Sequence, residues 1–255
     1  MNKRGLSTIL VVLALFLGTR AEATSIYVID AGVSGHGMVI AAKNNLNALG
    51  YTVSNGGTLG SYLGFDEVWD LRYQGNLLAS DIASMGAYLN AGGRMYLTGE
   101  HSGFDATRNV SLVNFLSAVG AGALTLNQAA FVGTETFTAA GAIVNSPNNF
   151  GSLAYSAART TTSAGNGFLV TQTAFGDGSL VGWNFGNIVG SANARMLVGF
   201  DIEIFQNGQN WTQDMATYLG AGAVAQPVPE PASLLLFGTG LVAIGRRQFQ
   251  RRRRS

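Results

Sequence analysis

The chain has 255 residues, no cysteine, two histidines, 35 glycines and a formal net charge of +1. The lack of cysteine excludes disulfides, thiolate metal centres and a cysteine nucleophile. A hydrophobic share of 47% against 11% charged residues excludes a disordered chain and allows one good core.

The N-terminus carries Lys3 and Arg4, then an apolar run over residues 6–18, then Ala21, Glu22 and Ala23. A basic start, a short apolar run and a small-x-small site are the parts of a secretory signal peptide. The run is shorter than the ~20 residues of a spanning helix. Residues 1–23 are therefore expected to pass the Sec translocon and be removed by signal peptidase.

Residues 25–30 (SIYVID) predict a buried strand that ends in a glycine-rich turn. Residues 37–49 predict a helix stopped by Gly50. Strands are predicted over 51–54 and 65–70, and a helix over 80–90 with Ser80 as its N-cap. Residues 94–98 (RMYLT) predict a strand that runs into Gly99, Glu100, His101, Ser102 and Gly103. A helix is predicted over 110–119. Residues 123–190 are rich in Thr, Asn, Gly and Ser and predict antiparallel strands and loops. Residues 195–201 predict a last strand and 211–219 a last helix. The alternation predicts an α/β fold with a mostly parallel sheet, flanking helices and a β-rich insertion.

The stretch 66–70 (DEVWD), the helix ending in Tyr88 to Gly93 (YLNAGG) and residues 94–103 (RMYLTGEHSG) carry a resemblance. The layout of 24–220 resembles the class I glutamine amidotransferase-like, flavodoxin-like fold. In that family such a strand ends in a nucleophile elbow, Gly-x-Cys-x-Gly. Here His101 takes the nucleophile position, so the resemblance implies the fold without the thiolate reaction. Ser102 is the alternative nucleophile, with His101 or His36 as its base.

Ligands of parallel sheets gather beyond the carboxyl ends of the strands. Asp30, Asp70, Glu100 and Asp201 fall at predicted strand ends, with His36 and His101 in the following loops. Glu100, His36, His101 and Ser102 are the catalytic candidates. Asp30, Asp70 and Glu100 are the metal candidates, for a divalent cation. The competing reading is capping and turn hydrogen bonding, with no cofactor. Trp69, Trp183, Trp211 and the Tyr and Phe set are expected in the core, the alternative being stacking on sugar rings.

The linker 221–227 leads to Pro229, Glu230 and Pro231, an apolar run over 232–245, and Arg246, Arg247, Arg251, Arg252, Arg253 and Arg254. Arginines after an apolar run place that end in the cytoplasm. Residues 228–255 resemble the PEP-CTERM protein-sorting domain of Gram-negative bacteria. The resemblance implies a transmembrane helix before processing, cleavage by an exosortase, and a destination in the envelope or an exopolysaccharide-rich matrix. Residues 24–226 hold twelve acidic and six basic side chains, a net of −6. That charge disfavours nucleic acid as a partner. The expected protein is thus exported and exosortase-sorted, with a binding, non-catalytic ectodomain. The alternative is an exported hydrolase or metal-dependent enzyme.

Overall fold

The computed structural model describes residues 24–220. The expected signal peptide (1–23), linker (221–227) and sorting tail (228–255) lie outside the described residues. So do the C-terminal apolar helix, Pro229, Glu230, Pro231 and the six tail arginines.

Five short strands form the parallel part of the main sheet: β1 (Ser25–Ile29), β2 (Thr52–Gly56), β3 (Glu67–Asp70), β4 (Arg94–Thr98) and β10 (Arg195–Gly199). Their order is β2-β1-β3-β4-β10. Two antiparallel strands, β9 (Leu180–Trp183) and β7 (Phe168–Leu169), extend the sheet past β10.

Both faces of the central strands β1, β3, β4 and β10 are covered, so these read as mostly apolar runs, while edge strand β2 (TVSNG) is polar and largely exposed. Alternate residues point to opposite faces. Ile26, Val28, Trp69 and Leu197 pack with Val39 and Leu46 of α1 (Gly37–Ala48) and with Trp211 and Met215 of α4 (Gly208–Gly220). Ile29, Val68, Met95 and Val198 pack with Met85 and Leu89 of α2 (Ala79–Asn90) and with Leu112 and Phe115 of α3 (Ser102–Ala118). Trp69, Trp183 and Trp211 are fully buried.

Two helix starts differ from the sequence expectation. Helix α2 is capped at Leu78, not Ser80. The Asp81 carboxylate accepts the Leu78 backbone N–H at 2.9 Å, so an acid inside the first turn does the capping. Helix α3 begins eight residues before the expected 110 and carries a non-helical residue at Asp105. Asp105 Oδ1 accepts the Arg108 N–H at 2.9 Å, which restarts the helix after the break.

The Thr- and Asn-rich segment folds into β5 (Leu126–Phe137), β6 (Ser152–Thr161) and β8 (Thr171–Gln172), an antiparallel three-stranded sheet in the order β6-β5-β8. The Arg159 N–H of β6 donates to the carbonyl of Phe200, just past β10, at 3.0 Å. That bond holds the insertion beside the carboxyl edge of the main sheet.

Candidate functional site

The strand order reverses at β1, with β2 on one side and β3 on the other. Crevices at such switch points hold ligands in open α/β sheets. Asp30 follows β1 and Asp70 ends β3. Both are buried, and both are already paired. The Lys43 Nζ donates to Asp30 Oδ2 at 2.6 Å, and Asn55 Nδ2 donates to the same oxygen at 3.1 Å. Asp70 accepts two bonds from the Arg72 guanidinium, each 2.8 Å, and one from Arg108 Nη2 at 3.1 Å. Burial alone would raise the Asp70 pKa, but Arg108 and Arg72 hold it below the usual carboxylate value.

The next edge group is the elbow. Gly99 is required there: a Cβ would sit 2.6 Å from Asn109 Oδ1 and 2.6 Å from the Phe200 ring. Asn109 of α3 clamps the following peptide. Its Oδ1 accepts the Glu100 N–H at 3.0 Å, and its Nδ2 donates to the Glu100 carbonyl. The Glu100 side chain is 5% exposed. Its Oε1 accepts the His101 N–H at 2.9 Å. Burial, helped by the fields of Asp201 and Glu203, pushes its pKa up to about 8. Glu100 is therefore neutral near pH 7 and can donate a proton. Asp201, past β10, accepts N–H bonds from Glu203 at 2.8 Å, Ser156 at 2.9 Å and Ala157 at 3.3 Å. Burial raises its pKa against those donors.

Both histidines act as helix N-caps. His36 Nδ1 accepts the Met38 N–H at 3.4 Å at the start of α1. His101 Nδ1 accepts the Gly103 N–H at 3.2 Å at the start of α3. Each ring therefore carries its proton on Nε2 when neutral. Nε2 of His36 lies 3.8 Å from Glu203 Oε1. Two further rings lie between the histidines. The centroid steps are 4.9 Å from His36 to Tyr73, 5.4 Å from Tyr73 to Phe104, and 6.1 Å from Phe104 to His101. Phe104 is 53% exposed. Burial and the fields of Glu100 and Glu203 raise the Tyr73 pKa.

The structure thus brings His36, Glu100 and His101 to one edge, together with Asp201. Asp30, Asp70 and Glu100 do not converge. Among the described residues no group of three or more His, Asp or Glu is placed to hold a metal ion. Ser102 opens α3, and its side chain lies outside the described set. Tyr73, Phe104, Asn109 and Glu203 were missed by sequence reasoning. For Tyr73 and Phe104 a signal existed: both follow a strand end by a few residues, as His36 does.

Comparison with known proteins places this geometry in context. The PEP-CTERM protein-sorting motif matches residues 227–254. That match supports an exported chain with an exosortase as its processing partner. No curated protein sequence matches. Among solved structures, the mmIFT52 N-terminal domain is similar with a TM-score of 0.59 and 10% identity, over 79% of this chain and 99% of that domain. A ThuA-like protein from Parabacteroides merdae ATCC 43184 gives 0.50 and 11%, over 82% of this chain and 93% of its own. An exo-beta-1,4-mannosidase from Opitutaceae bacterium strain TAV5 gives 0.50 and 10%, over 82% of this chain and 36% of its own. At such identities the likeness shows the fold alone. Among the described residues no helix is long and apolar enough to cross a membrane.

Proposed function

We propose that this protein is an envelope or extracellular-matrix component whose ectodomain binds a hydroxyl-rich polymer, exopolysaccharide, at the carboxyl edge of its sheet, without turning it over. The sorting motif supports delivery to that destination. Before processing, the C-terminal apolar run holds the chain in the membrane. The ThuA-like neighbour supports reading the ectodomain as amidotransferase-like, and this chain lacks the cysteine such an elbow needs.

The observation that carries the binding reading is the row of rings at the switch point. Tyr73 and half-exposed Phe104, flanked by His36 and His101, offer flat apolar faces beside polar tips. The hydrogen-bonding groups around them, Glu203 and the two Nε2 atoms, suit hydroxyl partners. The chemistry-bearing groups nearby are already engaged in structure. Asp30 and Asp70 neutralise cations, Asp201 caps backbone N–H groups, and both imidazoles cap helices.

The test is co-sedimentation of the protein with purified exopolysaccharide. Phe104→Ala removes one exposed ring and should weaken binding about fivefold, the equivalent of roughly 1 kcal/mol of ring contact. Unchanged binding by that variant would move the polymer elsewhere on the molecule.

A second reading has one observation in its favour. Glu100, neutral near pH 7 and beside Asp201, is poised as a general acid. In that reading His36, Glu100, His101 and Ser102 form a hydrolytic edge.

A further inference from the structure

Asn109 also lines a second opening, apart from the ring row. This cleft of about 290 Å³ lies between α3 and the start of β5. Its walls are Val110, Val113, Leu124 and Leu126, and Arg159 of β6 lines it too. The Arg159 side chain is 6% exposed. Its Nε donates to the Asn127 carbonyl. Among the described residues no carboxylate lies within ion-pair distance of it. Among the other basic residues of the ectodomain, Arg94 makes no ion pair among the described residues and its buried Nε has no hydrogen-bond partner, while the rest are compensated. Lys43, Arg72 and Arg108 each meet a carboxylate, and Arg195 lies between the rings of Phe185 and Tyr218.

The Arg159 terminal amines are not among the fully buried unpartnered atoms, so they keep contact with solvent and are free to meet an anion. Burial lowers the Arg159 pKa, yet a guanidinium stays charged at any physiological pH. The cleft therefore presents a permanent positive charge beside apolar walls. We propose that it binds a small monocarboxylate with a short apolar body. Arg159 takes the carboxylate through its two terminal amines, and the valine and leucine walls take the body. One guanidinium matches one negative charge. The net −6 of residues 24–226 disfavours a dianion. Ligand pockets start at about 300 Å³, so this one suits a small ligand. The site is independent of the reading of the carboxyl edge.

Isothermal titration of the full chain with hexanoate tests this, with hexanol and hexyl phosphate as comparisons. Hexanoate should bind, and hexanol should bind at least about tenfold more weakly, the worth of one charge-assisted pair. Arg159→Met should lose hexanoate by the same factor. Val110 is 60% exposed, so Val110→Glu keeps the fold while placing a competing carboxylate at the cleft. It should weaken hexanoate likewise. Absence of hexanoate binding, equal binding of hexanol, tighter binding of hexyl phosphate, or unchanged hexanoate affinity in Val110→Glu would each overturn the proposal.

Discussion

Asp70 shows how much of the carboxyl edge is built for support. It is fully buried between Arg72 and Arg108. Asp70→Asn leaves Arg108 without a carboxylate and Arg72 with Asp81 alone, and should cost about 3–5 kcal/mol in urea denaturation. Two glutamates behave in the opposite way. Glu67 is fully buried in β3, where its Oε2 accepts the Trp69 indole N–H at 2.8 Å. Burial pushes its pKa from 4.5 up to about 8, as it does for Glu100. The folded chain holds these two protons more tightly than the unfolded one. Their contribution is thus fully present below pH 4.5 and is lost as pH rises through about 8. Denaturation at about pH 5 and about pH 9 should show this decline, and Glu67→Gln should remove a large part of it. The sequence places Asp30, Asp70, Glu100 and Asp201 at predicted strand ends; Asp70 ends β3, and the other three lie just past β1, β4 and β10. Their roles were not legible, because their partners come from elsewhere in the chain. Arg108 reaches Asp70 across 38 residues, and Asp201 takes N–H groups from β6.

At the scale of elements, the alternation of strands and helices was readable because both faces of the sheet are covered. Each central strand is then a mostly apolar run and each helix carries an apolar face, the polar edge strand β2 being the exception. What the periodicity hid was the first half of α3. Residues 102–109 carry little apolar pattern, and the turn is set instead by the caps of His101 and Asp105. The elbow they frame depends on a close approach. Gly99→Ala forces a Cβ to within 2.6 Å of Asn109 and Phe200. It should cost about 1–3 kcal/mol, read as a lowered urea midpoint. The same change should weaken polymer binding, because Asn109 fixes the peptide from which His101 and Phe104 follow. The pairing of β5, β6 and β8 was legible only as a class. β5 and β6 are 12 and 10 residues long, but register shifts between Leu126 and Ala130 and between Phe131 and Gly133 break their alternation, and their register is set by long-range pairing.

At the scale of the whole molecule, the net charge of +1 averages over a basic start, an acidic middle and a basic tail. Replacing Pro229, Glu230 and Pro231 with alanine should block processing in a host with an exosortase. The unprocessed chain, with its arginine tail, should accumulate, and intact-mass analysis of the cell envelope reads it directly. Processing at the normal mass would contradict the sorting assignment. Binding without turnover leaves the length of the bound polymer unchanged. Exopolysaccharide incubated with the wild-type protein and with Glu100→Gln should keep its original size distribution in both cases, and both proteins should remain bound to it. Shortening by the wild-type protein that Glu100→Gln abolishes would contradict the account and assign the edge to hydrolysis.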